Sequence, residues 1–239
     1  MRVSVIILTY NRKEDVLFVL DGYKRQTHPD VEFIVVDNAS TDGTRQAVLE
    51  GFPNVIYITM PDNFDLRSYI AGVRAATGSL IWRCDSDSLP GSDTDFADMV
   101  RIMEQHPEIS IIAMENIEMR SGGLPSAWYP LPVDAENPPD GGYQSHSFMG
   151  SGAMIRREVF EAIGGFWGFG FEEYDFSIRA ISAGFQIRYF PQFRALHYAS
   201  ERARNRLRNH ALVSNQYMRL VWKHSPTRSA IRNSLAIYF

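Results

Sequence analysis

Cysteine is nearly missing: Cys84 is the only one in 239 residues. That excludes an internal disulfide framework, and without a Cys-x-x-Cys pair there is no zinc site of that kind. No apolar run approaches the roughly 20 residues of a membrane-spanning helix. Met1-Arg2 passes straight into Val3-Ser4-Val5-Ile6-Ile7-Leu8, too short for a secretory leader with its cleavage site. The expectation is a reducing, cytoplasmic location. There is no internal repeat of solenoid period. An overall positive charge is also lacking, at a formal net −4; nucleic-acid binders are usually basic across their working face, so that class is set aside.

The charge is unevenly spread. From Glu201 onward eight basic residues face one acidic residue, a segment of +7 that leaves −11 on the remainder. An acidic body with a basic tail suits an anionic surface, such as the inner face of a membrane, as the partner of the tail. With 45% hydrophobic and 22% charged residues the chain is neither disordered nor collagen-like, and it is long enough for one domain with a sizeable core.

The first half alternates apolar runs with amphipathic stretches. Residues 3–8, 31–36, 55–58, 80–83 and 109–114 read as short buried strands, two of them almost continuous in Val and Ile, as parallel strands covered on both faces tend to be. Between them 13–26, 44–51, 66–76 and 94–105 have helical spacing of apolar residues. Such βα alternation predicts a mainly parallel α/β sheet, with ligands at the carboxyl ends of the strands. The Pro- and Gly-rich segment 120–144, which holds Trp128 and Tyr129, reads as a lid or acceptor loop. Beyond it come helices at 157–163 and 172–183, short strands at 186–190 and 195–197, and a basic helix or helix pair over 201–223.

The strand ends carry the chemistry. The first ends in Thr9-Tyr10-Asn11-Arg12, a hydroxyl and an aromatic plate. The second runs into Asp37-Asn38-Ala39-Ser40-Thr41-Asp42-Gly43-Thr44. Asp37 can accept from a base edge or a ribose, or serve the turn alone; Ser40 or Thr41 can cap the next helix. The fourth strand runs into Asp85-Ser86-Asp87. Residues two apart in an extended chain face one side, so the two carboxylates converge. They repel unless a positive charge lies between them, and Mn²⁺ or Mg²⁺ bridging to diphosphate oxygens meets that need. Asp-x-Asp alone is unspecific, since Asp93-Thr94-Asp95 repeats it; Asp93, after Gly91-Ser92, reads as a helix N-cap. Gly150-Ser151-Gly152 lacks the third glycine and the preceding strand of a dinucleotide fingerprint.

Taken in order, 5–11, 35–44 and 80–87 resemble the nucleotide-binding half of the family 2 glycosyltransferases, which have the GT-A fold: an apolar strand ending T-Y-N, a V-V-D-x-x-S-x-D-G-T turn, and a strand ending D-x-D. Residues 149–157 and 164–175, with Arg179 and Gly184, are similar to the acceptor half of galactosyl- and N-acetylgalactosaminyltransferases, which carry a W-G-x-G-x-E-D-x-D segment. The resemblance covers about residues 3–200, and places a nucleotide-binding half at about 1–115, an acceptor half at about 145–200 and a basic helical segment at 201–239.

The resemblance implies an inverting, metal-dependent transfer of a sugar from a nucleotide diphosphate-sugar, a UDP-sugar, to a glycan or glycolipid hydroxyl in surface polysaccharide assembly. It assigns Glu173 as catalytic base, with Glu where the family has Asp. Glu172 and Asp175 would flank it and hold the acceptor together with Gly150 and Trp167. The two glutamates are equally at home as acidic residues at a helix N-terminus. Thr9, Tyr10, Asn11, Asp37, Arg67, Asp85 and Ser86 would hold the nucleotide sugar. Asp85, Asp87 and His197 would hold the ion; a lone His is otherwise more often a hydrogen-bonded structural residue. Leu8 stands for a frequent Pro, Asp65 for the first Gly of an N-x-G…N-x-G stretch and Ile70 for its second Asn, which leaves Arg67 as a candidate for the diphosphate. Two other readings are a sugar-nucleotide nucleotidyltransferase, which wants a Gly-rich, Lys/Arg-bearing first loop, and a sugar-nucleotide or glycan-binding module without turnover.

Overall fold

The computed structural model describes residues 1–126, 128, 129, 131–201 and 206–226. β1 (Val3–Thr9), α1 (Lys13–Tyr23), β2 (Val31–Asp37), α2 (Thr44–Gly51) and β3 (Ile56–Thr59) come first. A 3-10 turn (Asp65–Ser68), α3 (Tyr69–Ala75), β4 (Leu80–Cys84), β5 (Ser88–Pro90), α4 (Asp95–Gln105) and β6 (Ile109–Glu118) follow. Then come β7 (Leu124–Pro125), β8 (Tyr143–Ser145), β9 (Ala153–Arg156), α5 (Arg157–Ile163), α6 (Glu172–Ser182), β10 (Gln186–His197) and α7 (Arg206–His224).

The ten strands of the described residues join one sheet in the order β3-β2-β1-β4-β9-β6-β10-β5, with β7 on β6 and β8 on β10. β1, β2, β3 and β4 are mutually parallel, as are β6 and β10; β9 lies antiparallel between β4 and β6. Helices cover both faces, which is why β1 is apolar almost throughout. Val5 and Ile7 enter one core with Leu20 of α1 and Phe96 of α4, while Ile6 enters the other with Tyr69, Phe160 and Phe176. Each fully buried side chain of this size contributes roughly 1.5–3 kcal/mol, and Ile6→Ala would cost about 2–5 kcal/mol. α3 approaches the sheet closely at Gly72, where a Cβ would lie 2.6 Å from Ile6 Cγ2.

Several local expectations are corrected. The strands expected at 186–190 and 195–197 are one strand, β10, whose register against β6 jumps between Phe190 and Arg194. Pro191, with no N–H for the ladder, sits inside that jump. The helix expected at 66–76 begins as a 3-10 turn, and the helix from Lys13 stops at Tyr23. Asp93 is not the cap of α4. Thr94 holds that position, Asp95 accepts the Ser92 amide at 3.0 Å, and Asp93 pairs with Arg25 at the surface. Neither Ser40 nor Thr41 caps α2: its N-cap is Gly43 in the left-handed region, and Asp42 accepts the Thr44 amide at 3.1 Å. The antiparallel insertion of β9 and the short β5, β7 and β8 were not expected.

The described aromatic residues of 120–144 pack against the core on one face of the sheet. Tyr129 stacks on Tyr189 with centroids 4.2 Å apart, and Trp128 Nε1 donates to the Met114 carbonyl at 3.2 Å. Among the described residues the basic helix spans Arg206–His224 and packs on α6, with Val221 buried and Tyr217 against Phe171. Arg202, Arg204, Arg228, Arg232 and the apolar end 235–239 lie outside the described residues, as do the side chains of Arg206 and Arg208. No helix among the described residues is long and apolar enough to cross a membrane.

Candidate active site

A cavity of about 450 Å³ opens at the carboxyl ends of β1, β4, β6 and β10. Its lining includes Thr9, Tyr10, Arg12, Asp85, Ser86, Asp87, Asn116, Glu118, Gly150, Glu172, Glu173 and His197. Sheet order assembles it. β5 leaves the Asp85–Asp87 turn and pairs antiparallel with β10, setting Ser88 opposite His197. β10 runs parallel to β6, setting His197 opposite Glu118. Residues from three distant parts of the chain thereby meet at one strand end.

One oxygen each of Asp85 and Asp87 and one ring nitrogen of His197 lie within 4.8 Å of one another. Two carboxylates and an imidazole at this spacing suit Mn²⁺ or Mg²⁺, with coordination left over for phosphate oxygens. His197 Nε2 is 3.5 Å from Asp87 Oδ1, and its Nδ1 hydrogen-bonds Glu118. With Glu118 accepting from Nδ1–H, Nε2 is the nitrogen left to bind an ion. Asp87 Oδ2 accepts from Arg12 Nη1 at 3.2 Å and from the Ser200 amide at 2.8 Å. Burial would raise the Asp87 carboxyl, but His197, Arg12 and the Ser200 amide more than offset it and hold it below the ordinary range. Burial likewise disfavours the His197 cation, yet Asp87, Asp85 and Glu118 push its pKa up to about 9 in the ion-free protein.

α6 opens with Glu172, Glu173 and Asp175. Burial first, then the adjacent Glu172 carboxylate, push Glu173 up to about 8; burial also raises Glu172. Arg83 opposes both. Its guanidinium is buried, with Nη1 2.6 Å from Asp85 Oδ1 and Nη2 3.4 Å from Glu173 Oε1 and 3.9 Å from Glu172 Oε1. Nη1 also donates to the Gly150 carbonyl. Gly150 leaves room for this arrangement, because a Cβ there would lie 2.2 Å from Glu173 Oε1 and 2.6 Å from Arg83 Nη2 and would force one of those side chains to shift.

Other expected site residues lie outside this lining. Asp37 is buried and accepts from Ser40 Oγ and from Tyr57 Oη at 2.8 Å. Asn11, in the left-handed region at φ 51°, takes the Thr41 amide on its Oδ1 at 2.7 Å. Asn11 ties the loop after β1 to the loop after β2, and Asp37 holds the latter. Arg67 is exposed and donates to the Phe64 carbonyl beside Asp65. Asp175 and Trp167 face α7: Asp175 accepts from Arg179 at 2.8 Å and lies 3.0 Å from His224 Nε2, while Lys223 Nζ sits 2.9 Å from the Trp167 ring centre. Among the described residues of 120–144, none lines the cavity.

Sequence reasoning singled out neither Arg12, Arg83 nor Glu118. The signal for Arg83 was present: a charged residue two positions before the first Asp of Asp-x-Asp, on a strand whose other positions are apolar. Glu118 carried no local signal, because only the β6–β10 pairing gives it a partner.

The Glycosyl transferase family 2 profile matches residues 4–164. The chain is 24% identical over 231 residues to the uncharacterized glycosyltransferase YwdF of Bacillus subtilis, covering 94% of this chain and 84% of that protein. It is 28% identical over 137 residues to the poly(ribitol-phosphate) beta-N-acetylglucosaminyltransferase TarS of Staphylococcus aureus, covering 54% of this chain and 23% of TarS. Among solved structures, the mannosyltransferase PcManGT from Pyrobaculum calidifontis, in complex with GDP-Man and Mn²⁺, superposes with a TM-score of 0.72 at 22% identity over 98% of this chain and 64% of that one. TarS 1–349 in complex with UDP-GlcNAc gives 0.67 at 16% identity over 94% of this chain and 74% of that one. The chain belongs to glycosyl transferase family 2 and is a glycosyltransferase of the GT-A fold. It spans less than two thirds of the mannosyltransferase chain and under a quarter of TarS.

Proposed function

We propose that the protein transfers a sugar from a nucleotide diphosphate-sugar, a UDP-sugar, to an acceptor hydroxyl with inversion at the anomeric carbon. The observation that carries this reading is the presence in one cavity of the Asp85–Asp87–His197 cluster and the Glu173 carboxylate. A bound Mn²⁺ or Mg²⁺ at that cluster supplies positive charge for the leaving diphosphate. Glu173 removes the acceptor proton as the hydroxyl oxygen bonds to the anomeric carbon. The bond from that carbon to the diphosphate oxygen breaks, and its electron pair leaves with the nucleoside diphosphate. Arg12, hydrogen-bonded to Asp87 and lining the cavity, adds charge on the diphosphate side. The hydroxyl of Thr9, buried without a partner, and the exposed ring of Tyr10 line the same cavity and support nucleotide binding there.

UDP is favoured by the sequence likeness to the N-acetylglucosaminyltransferase TarS, whose structure is known in complex with UDP-GlcNAc. Residues 149–157 and 164–175 resemble the acceptor half of galactosyl- and N-acetylgalactosaminyltransferases, and the acceptor in this reading is a surface glycan or glycolipid. The basic C-terminal segment would hold the enzyme at an anionic membrane face. A thermal-shift screen of UDP-galactose, UDP-N-acetylgalactosamine, UDP-N-acetylglucosamine and GDP-mannose, each with and without Mn²⁺, tests the class and the donor together. Stabilisation by one UDP-sugar, only with Mn²⁺, is the expected result; metal-independent binding, or binding of GDP-mannose alone, would overturn it.

A further inference from the structure

We propose that Arg83 is a positioning residue that couples the cation side of the cavity to the base: one buried guanidinium is shared between Asp85 and the Glu172–Glu173 pair, and a cation taking up Asp85 releases it toward Glu173. This rests on Asp85 as an ion ligand and Glu173 as the base.

Arg83 is not placed to touch a molecule in the cavity. Its side chain is 2% exposed and is absent from the cavity lining, beneath which it lies. The two ends of its rigid fork serve different half-sites. Nη1 holds Asp85 and the Gly150 carbonyl, while Nη2 faces Glu172 and Glu173. One positive charge thus answers three carboxylates, so strengthening one pairing weakens the others. Asp85 is the partner free to leave, with a side chain 38% exposed against 8% for Glu172 and 17% for Glu173. The absence of a Cβ on Gly150 lets Arg83 and Glu173 approach at all. Arg83 Nε is buried without a hydrogen-bond partner, a cost accepted while both Nη groups reach their acceptors. Lysine, a point charge without the fork, could not serve both sides.

A divalent ion on Asp85 repels the adjacent guanidinium and weakens that contact. The guanidinium then remains with Glu172, Glu173 and Gly150, and keeps Glu173 a carboxylate. Coupling between two sites is reciprocal, so a change at Glu173 must be felt by the ion.

The test is Mn²⁺ binding to the purified protein, read from the free-ion paramagnetic resonance signal, without donor or acceptor. Glu173→Gln leaves Arg83 more firmly on Asp85, so Mn²⁺ binding should weaken about 5-fold or more. In the Arg83→Lys background the same change should weaken it less than about twofold, the non-additive pattern of a mediated interaction. Equal fold-changes in both backgrounds would overturn the coupling. Should Arg83→Lys fail to fold, Mg²⁺ titration of the wild-type protein, followed through the ¹⁵N-guanidinium resonances of Arg83, gives the same answer. They should shift on saturation in the wild type and move markedly less in Glu173→Gln, and an unmoved wild-type signal would overturn the proposal. Asp87→Asn separates the two readings. If it leaves wild-type Mn²⁺ binding intact, the ion site itself is misassigned and the coupling falls with it.

Discussion

Glu118 and His197 stand opposite each other at the ends of two neighbouring parallel strands, and the carboxylate hydrogen-bonds the imidazole Nδ1. The pairing fixes the ring and leaves Nε2 turned toward Asp87. Glu118→Ala should therefore weaken Mn²⁺ binding about 10–100-fold while leaving Asp85, Asp87 and His197 in place. Isothermal titration with Mn²⁺ checks it, and unchanged affinity would remove Glu118 from the site.

Asp87 is both a candidate ion ligand and a structural acceptor, since it receives Arg12 and the Ser200 amide. Asp87→Asn is thus cleaner than Asp87→Ala, because it keeps the shape and half of the hydrogen bonding. Expected outcomes are loss of Mn²⁺-dependent stabilisation and of transfer, with circular dichroism unchanged. Near-normal transfer in saturating Mn²⁺ would count against the assignment.

Glu173→Gln retains volume and removes proton acceptance, so turnover should fall by roughly 10²–10⁴. Donor binding, measured by thermal shift in saturating Mn²⁺, should change little. Glu172 accepts the Gly170 amide at 2.5 Å and is the more buried of the two, so Glu172→Gln should act mainly on stability. The reverse pattern of rates would move the base by one residue.

Asp95, at the start of α4, is buried, and burial pushes its carboxyl up to about 6 from an ordinary value near 4. The folded state holds this proton more tightly than the unfolded one. Its stabilising contribution is complete below about pH 4 and is lost as pH rises through 6. Asp95→Asn should raise Tm by a few degrees at pH 8 and leave it unchanged at pH 4. A pH series of differential scanning fluorimetry measures this, and a lower Tm for the variant at pH 8 would contradict it.

The basic segment from Glu201 carries a net +7. Each Lys or Arg near an anionic bilayer contributes on the order of 1 kcal/mol, so sedimentation with anionic vesicles should be strong at low salt and fade as salt rises. Neutral vesicles should not sediment the protein. No binding at low salt would leave α7 with its packing role on α6 alone.

Much of this protein is legible one segment at a time. Period-two burial on both faces wrote β1, β2 and β4 as near-continuous apolar runs, and Asp85-Ser86-Asp87 announced itself at a strand end. What no local pattern held was which strands become neighbours. The β5–β10 and β6–β10 pairings bring His197 to Asp87 and Glu118 across about a hundred residues, and the antiparallel entry of β9 places Gly150 against Arg83. The family resemblance assigns Asp175 and Trp167 to the acceptor; in the fold they face α7, where His224 and Lys223 meet them. Hydrophobic periodicity records whether a side chain is buried, because burial follows the geometry of a single element. The partner of a buried charge depends on the packing of elements far apart in sequence, and for Arg83, Glu118 and Asp175 only the tertiary structure decided it.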